Sequence, residues 1–139
     1  MHRVIVDTNL WVSALLKAPF RLRLETVLFH SDVRLLASPA LMNELTEVVQ
    51  RPRFRRYFPT AAAMEFIGLL EELAEFVTPQ STVRVSPDPD DDFLLALALD
   101  GQADVLLTGN KKDLLDLKTF GQTRILTLTE FLAELDGPQ

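Results

Sequence analysis

Oxygen-bearing side chains that could hold a divalent cation stand at several separate points along this sequence. Candidates for one shared site are Asp7, Glu44, the acidic run 88–92, Asn110 and Asp113. Without cysteine or histidine among them, these oxygens make a site that favours Mg²⁺ or Mn²⁺. Hydrolysis of a phosphodiester needs only such a site, because bound metal ions lower the pKa of a water and hold the phosphate oxygens.

Each candidate acid also has an ordinary structural interpretation. Asp7 could simply cap the helix that follows it, and the run 88–92 could cap a helix and line a solvated loop. Glu44 could be an exposed helical residue, as we expect Glu47 to be. Adjacent acids repel one another unless they are solvated or neutralised by a metal, so the run 88–92 exceeds what a cap needs. For any single acid both interpretations stay open.

A parallel sheet would bring these residues together. Apolar runs predict strands at residues 3–6, 33–37, 105–107 and 124–126. Helical patterns predict helices at residues 10–16, 22–29, 39–51, 60–75, 90–99 and 129–135, and a helical turn at 111–115. Strands that alternate with helices indicate an α/β fold, a three-layer α/β/α sandwich with a central parallel sheet. Ligands of such sheets bind outside the carboxyl ends of the strands, which is where the acids fall.

Proline and the apolar stripes add detail to this prediction. Ser38 followed by Pro39 is a strong helix start, while Pro19 is expected to interrupt the first helical region. The helix at 60–75 should turn four apolar residues inward: Phe66, Leu69, Leu70 and Leu73. Trp11 and Phe93 lie within apolar helical patterns, so we expect both in the core.

Composition describes one globular domain over residues 1–139. Hydrophobic residues make up 47% and charged residues 24% of the 139 residues, enough to bury a sizeable core. The absence of cysteine excludes disulfides and thiolate chemistry, and two histidines make a zinc site improbable. No signal-peptide pattern or membrane-length apolar run occurs, so we expect a cytoplasmic protein without a membrane partner.

The net charge of −6 argues against a broad basic surface for nucleic acid. A local one is present, because basic and aromatic residues alternate between positions 51 and 57. Its cations, together with two lysines beside the acidic site, are candidates for binding the phosphates and unstacked bases of a nucleic acid: Arg51, Arg53, Arg55, Arg56, Lys111 and Lys112. The alternative is a solvated loop whose arginines pair with Glu65 or Glu71.

Four segments, in order, resemble the PIN domain, a family of metal-dependent ribonucleases that includes many toxins of toxin–antitoxin pairs. They are Val-Asp-Thr-Asn at 6–9, Ser-Pro-Ala-Leu-Met-Asn-Glu-Leu at 38–45, the acidic segment 88–98 and the segment 103–115. Residues 125–127 and 131–132 resemble the closing strand and helix of the family. The resemblance implies a hydrolase, a Mg²⁺- or Mn²⁺-dependent endoribonuclease, that leaves 5′-phosphate and 3′-hydroxyl ends.

The resemblance also implies roles for individual residues. Asp7, Glu44 and Asp91 match the three metal-binding acids, Asp91 being preferred to its neighbours because Ala96 and Ala98 then match small helical residues of the family. Asn110 stands where a fourth acid is usual, so Asp113 is a candidate fourth metal ligand and both are candidate catalytic residues. Supporting positions that would hydrogen-bond the acids or a water are Thr8, Asn9, Asp88 and Thr108.

The same resemblance implies protein partners, and alternative functions have to be weighed against it. Toxins of this family are usually silenced by an antitoxin that inserts a segment into the acidic groove, where an arginine of the antitoxin would pair with the carboxylates, and they commonly form homodimers. The main rival function is a non-catalytic PIN module, an RNA-binding or protein-interaction scaffold weakened by Asn110. A receiver domain or a haloacid dehalogenase phosphatase is disfavoured, because Ser38 and Asn9 stand where these folds need acids.

Overall fold

The computed structural model describes residues 1–85, 91–109 and 112–136, with the backbone alone at Lys112 and Asp113. The strands are β1 (His2–Val6), β2 (Val33–Ala37), β3 (Glu75–Phe76), β4 (Val105–Leu107), β5 (Thr119–Phe120) and β6 (Thr123–Leu126). The helices are α1 (Thr8–Leu16), α2 (Ala18–Leu28), α3 (Pro39–Val49), α4 (Thr60–Leu73), α5 (Asp92–Asp100), α6 (Lys112–Leu115) and α7 (Leu128–Asp136), and Pro52–Phe54 form a 3₁₀ turn.

The described strands form a six-stranded sheet in the order β3-β2-β1-β4-β6-β5. All neighbours are parallel except β5 and β6, which form an antiparallel edge. Strand β1 lies at the centre, where Val4 is level with Leu35 on one side and Val105 on the other. The predicted α/β fold with a central parallel sheet is therefore confirmed, with an antiparallel edge strand added.

The central strands are buried on both faces. Val4, Ile5 and Val6 are each fully buried, as are all three residues of β4. Since successive side chains of a strand point to opposite faces, helices must cover the sheet on both sides. Trp11 also lies in the core, where its ring meets Phe66 of α4 edge-on at 6.0 Å, as predicted.

Two expectations about helices need correction. Helix α2 begins at Ala18, four residues earlier than predicted, because Pro19 falls in its first turn, where a missing N–H costs nothing. Leu69 and Leu73 are 54% and 43% exposed, so the inward stripe of α4 is narrower than its sequence suggests. Ala63 and Ile67 supply buried contacts instead.

Two short strands were not predicted. β3 and β5 have only two residues each, too few to show an alternating pattern, and they are fixed by pairing with β2 and β6. Among the described residues, no helix is long and apolar enough to span a bilayer.

Candidate active site

Asp7 joins the carboxyl ends of two adjacent strands. It follows β1, its backbone N–H donates to the Leu107 carbonyl at 2.9 Å, and its Oδ2 accepts a hydrogen bond from the Thr108 hydroxyl at 2.9 Å. Although Asp7 occupies the position before α1, its side chain makes no capping hydrogen bond. The capping interpretation is therefore wrong, and this carboxylate, only 3% exposed, is held at the end of the sheet by a hydroxyl.

Thr8 adds a buried hydroxyl to the same edge. The residue is 3% exposed, and its Oγ1 has no hydrogen-bond partner within the described part of the chain. Such a hydroxyl costs about 1–3 kcal/mol unless something satisfies it, so it is available to the oxygen of a ligand or water. Asn9, the next residue, is exposed beside it.

Helix α3 carries Glu44 inward from the carboxyl end of β2. Ser38 caps the helix by accepting a hydrogen bond from the Leu41 N–H at 3.1 Å, and Pro39 occupies the first helical position, as predicted. Glu44 is half-buried and lies three residues after Leu41 and four before Val48, both of which are buried. It therefore belongs to the buried stripe of the helix.

Glu47 provides the contrast on the same helix. Its side chain is 70% exposed and pairs with Arg51 one turn later at 3.3 Å. The interpretation of Glu44 as an ordinary exposed residue like Glu47 is thus wrong, although the two glutamates are separated by a single turn.

Asp91 is the buried member of the acidic run as far as the structure describes it. It stands immediately before α5, is 1% exposed and makes no capping hydrogen bond with its side chain. Asp92, in the first turn, is half-buried and accepts a hydrogen bond from the Val85 N–H at 3.2 Å. The two neighbouring acids therefore have different environments, and Asp91 is the more deeply enclosed.

The direction of α5 places Asp91 at the same edge as Asp7. The carbonyl of Gly101, just after α5, accepts a hydrogen bond from Arg3 Nε at 2.9 Å, so this helix ends near the amino end of β1. Nine helical residues span about 13 Å and five strand residues about 16 Å, so the beginning of α5 lies near the carboxyl ends of the strands.

Buried polar residues concentrate at this edge. Among the described residues, six polar or charged side chains are buried, and all but Thr123 follow a strand or precede a helix there: Asp7, Thr8, Ser38, Asp91 and Thr108. Buried polar groups are expensive unless they are satisfied, so their concentration at one end of the sheet indicates a functional edge.

Several predicted site residues are not among those that the structure describes. Asp88, Asn110 and Lys111 are not among the described residues, nor are the side chains of Lys112 and Asp113. Within residues 1–85, 91–109 and 112–136, no three acidic or imidazole side chains form a group that could hold a metal. The described acids nevertheless fit a hard divalent ion in their chemistry, since Asp7 and Asp91 are buried oxygen donors.

The basic segment 51–57 lies away from the acidic edge. It follows the far end of α3, whose eleven residues extend about 16 Å from its start. The Arg53 guanidinium lies 4.8 Å from the centre of the Phe54 ring and that of Arg56 lies 5.6 Å from the Tyr57 ring, while Arg51 pairs with Glu47. Among the described residues, none of these arginines forms an ion pair with Glu65 or Glu71, which were the alternative partners. Arg55 is exposed.

The acids whose pKa values are clearly lowered form hydrogen bonds that connect separate elements of the fold. Hydrogen bonding to Arg3 lowers the pKa of Glu75, and hydrogen bonding to Arg124 lowers that of Glu134. The Ser81 hydroxyl, with the N–H groups of Ser81 and Gln80, lowers the pKa of Asp100 and ties the segment after β3 to the end of α5.

Sequence reasoning missed Lys17 and Arg23. Both line a pocket beside Thr108, although neither belongs to a recognisable motif. Only the pairing of β1 with β4 and the packing of α2 near the start of α7 bring them there, so no local pattern could have identified them.

Comparisons with known proteins support the fold and the order of the motifs. No curated protein matches the sequence. The structure is similar to VapBC-1 from nontypeable Haemophilus influenzae, with a TM-score of 0.61 and 18% identity over 91% of this chain and 98% of that one. It is also similar to VapBC2 from Rickettsia felis, solved bound to a DNA fragment from their promoter, with a TM-score of 0.59 and 14% identity over 88% and 96% of the two chains.

A family model described as PIN domain matches residues 3–112, which include Asp7, Glu44 and Asp91. That match covers most of the chain and confirms the family suggested by the four motifs. This chain belongs to the PIN domain family.

Proposed function

We propose that this protein is a metal-dependent endoribonuclease that hydrolyses RNA phosphodiester bonds at the carboxyl edge of its sheet, as the toxin of a toxin–antitoxin pair. One observation carries the proposal. Two carboxylates, Asp7 at 3% and Asp91 at 1% exposure, are buried at the same edge, and neither caps the helix that follows it. Buried acids without a capping task are suited to a cation and its substrate.

The residues that would hold Mg²⁺ or Mn²⁺ are Asp7, Glu44, Asp91 and Asp113. When bound, a divalent ion supplies positive charge to the phosphate oxygens and lowers the pKa of the attacking water. The Thr108 hydroxyl fixes the orientation of the Asp7 carboxylate, and burial protects that carboxylate from bulk water. Thr8, Asn9, Asn110 and Asp88 are the neutral and acidic groups that would orient water and the ligating acids.

The reaction that the family resemblance implies is an in-line displacement at phosphorus. A bond forms between the water oxygen and phosphorus, the bond from phosphorus to the 3′ oxygen breaks, and the leaving oxygen takes up a proton. The products are a 5′-phosphate and a 3′-hydroxyl. No side-chain nucleophile is needed, which suits a chain without cysteine and with no histidine in its motifs.

The partners in this proposal are RNA and an antitoxin. Arg53, Arg55 and Arg56, with Lys111 and Lys112, would contact phosphates of the substrate, while Arg51 is engaged by Glu47. An antitoxin would silence the enzyme by placing an arginine among the carboxylates, and a homodimer is the assembly that the family resemblance suggests. The likeness to the two VapBC structures fits this role through the shared fold.

The test is cleavage of a labelled single-stranded RNA with Mg²⁺ or Mn²⁺, using the wild type and the double variant Asp7→Asn with Asp91→Asn. The double variant should lose nearly all activity, while its thermal stability holds or rises because the two carboxylates no longer repel other acids. Unchanged metal-dependent cleavage by the folded double variant would refute the proposal.

A non-catalytic scaffold is the second candidate function. The observation in its favour is the sequence itself, because Asn110 stands where the family usually has a fourth acid. A scaffold would bind RNA or a protein without affinity for divalent ions, so metal binding by the wild type separates the two functions.

A further inference from the structure

A pocket of about 380 Å³ opens beside the hydrogen bond between Thr108 and Asp7. Its walls come from α1, the α1–α2 junction, α2, the residues after β4 and the start of α7. Six of the residues that line it have polar side chains: Asn9, Ser13, Lys17, Arg23, Thr108 and Thr129. The volume lies within the range that holds a small ligand or a nucleotide, roughly 300–1,000 Å³.

Two cations in this pocket are left without a carboxylate. Four arginines elsewhere pair with glutamates: Arg3, Arg21, Arg51 and Arg124. Within the part of the chain that the structure describes, Lys17 and Arg23 have no acidic partner. Both side chains are exposed on the same pocket, so two positive charges without an internal counter-charge are available there to an anion.

Arg23 of α2 lies beside the start of α7. Its Nη2 donates a hydrogen bond to the Thr129 hydroxyl at 2.7 Å, an exposed contact that directs the guanidinium toward this end of the pocket. The guanidinium keeps further N–H donors that fit a phosphate, and the Lys17 ammonium contributes a second, flexible charge. Phe20, half-buried in the same wall, offers a ring on which an unstacked base can lie.

The pocket shares a wall with the acidic edge, because Thr108 lines the pocket and donates to Asp7. Positive charge thus lies beside negative charge. This arrangement suits two successive phosphates of one strand, because the acids with a bound divalent ion would hold one phosphate and the cations would hold its neighbour. The basic segment 51–57, at the far end of α3, is too distant to hold that neighbouring phosphate.

We propose that Lys17 and Arg23 bind the backbone phosphate next to the scissile one and so position a single strand of RNA across the Asp7 edge. This inference rests on the proposed ribonuclease function and names the part of the site that orients its substrate. Both residues are positioning residues, since the inference gives them no contact with the bond that breaks.

The experiment measures RNA binding separately from cleavage. Fluorescence anisotropy with a labelled single-stranded RNA, in EDTA and over a range of salt, compares the wild type with Lys17→Gln/Arg23→Gln. The control variant, Arg34→Gln/Lys118→Gln, removes the same charge from one arginine and one lysine that are exposed and do not line the pocket.

The pocket variant should bind about tenfold more weakly or worse, since a hydrogen bond to a charged group is worth at least that factor. Its plot of log affinity against log salt should also be shallower by about 0.7, the value for one lost phosphate contact on a single strand. The control should keep the wild-type slope. In cleavage assays the pocket variant should raise KM more than it lowers kcat.

Equal affinities and slopes for the pocket and control variants would overturn the inference. So would unchanged RNA binding together with lost binding of an acidic peptide, which would assign the pocket to a protein partner. The outcome is separable from the proposed function: a wild type that binds RNA through the pocket without cleaving it refutes only the nuclease proposal. Conversely, a wild type that cleaves and a pocket variant that cleaves equally well refute only this inference.

Discussion

The two ends of strand β1 carry charge in opposite ways. At the amino end, Arg3 donates to the Gly101 carbonyl and to both oxygens of Glu75, and its backbone N–H donates to Asp104. At the carboxyl end, Asp7 accepts from one hydroxyl, and the neighbouring Thr8 hydroxyl is unsatisfied within the described chain. The polar groups at the amino end therefore have several hydrogen-bond partners within the chain, whereas those at the carboxyl end have fewer.

The difference shows which polar groups hold the fold and which are available to a ligand. Arg3 connects β1 to β3 and to the end of α5, so its hydrogen bonds stabilise the folded chain. Asp7 and Asp91 are more deeply buried than Arg3 and Glu75 but contribute no helix cap. Since burial of a charge is costly, we infer that the carboxyl edge is maintained for function at the expense of stability.

The largest expected effect separates two glutamates of the same helix. Glu44→Gln should lower metal-dependent RNA cleavage by about a hundredfold, the usual cost of removing one electrostatic group of an active site. Glu47→Gln, one turn away and exposed, should cleave like the wild type. Steady-state cleavage assays at saturating Mg²⁺ measure both. Equal activities of the two variants would remove Glu44 from the site.

Thr108→Val should affect both activity and stability. Loss of the hydroxyl that donates to the buried Asp7 carboxylate should cost about 1–3 kcal/mol of unfolding free energy and disturb the orientation of that acid. Urea denaturation measures the first effect and the cleavage rate the second. A matched control is Thr123→Val, whose buried hydroxyl donates to the Ala103 carbonyl rather than to an acid, so that this variant should lose stability but keep its activity per folded molecule. A Thr108→Val protein with wild-type stability and activity would contradict the role given to this bond.

Arg3→Gln should reduce stability without reducing activity per folded molecule. The side chain is about one-third exposed, so we expect a loss of about 1 kcal/mol rather than the larger value of a buried pair. The midpoint of urea denaturation gives the stability, and the fraction of folded protein normalises the activity. A fall in normalised activity would mean that the two ends of β1 are not separable.

The smallest effect concerns pH. Arg3 and Arg124 lower the pKa values of Glu75 and Glu134 from the ordinary 4.5, so these acids lose their protons more readily in the folded chain. Their stabilising contribution is present above about pH 4.5 and is lost as the pH falls through the lower folded-state values. Glu75→Gln with Glu134→Gln should therefore flatten the stability curve below pH 4.5. An unchanged curve would exclude the pairs as its cause.

Much of this fold could be predicted from local patterns. The apolar runs at 33–37 and 105–107 match β2 and β4, and the Ser38-Pro39 start of α3 is correct because capping is a property of adjacent residues. β3 and β5 could not be found, since two-residue strands exist only through their partners. The exposure of Leu69 depends on which neighbours cover α4, and a single sequence does not contain that information.

The candidate site was predictable in part for the same reason. Asp7 and Asp91 stand beside strand and helix boundaries, which the sequence marks, so their placement at one edge followed from the topology of parallel sheets. Lys17 and Arg23 reach that edge only through the packing of α2 and α7 around the central strands. The spacing of residues along the sequence does not reveal such contacts between distant elements.

Metal binding by the isolated protein tests the central claim most directly. Calorimetric titration of Mn²⁺ into the wild type should show binding that Asp7→Asn abolishes or greatly weakens and that Glu47→Gln leaves unchanged. No measurable binding of Mn²⁺ or Mg²⁺ by the wild type, or equal binding by Asp7→Asn, would contradict a divalent-ion site at the carboxyl edge of the sheet.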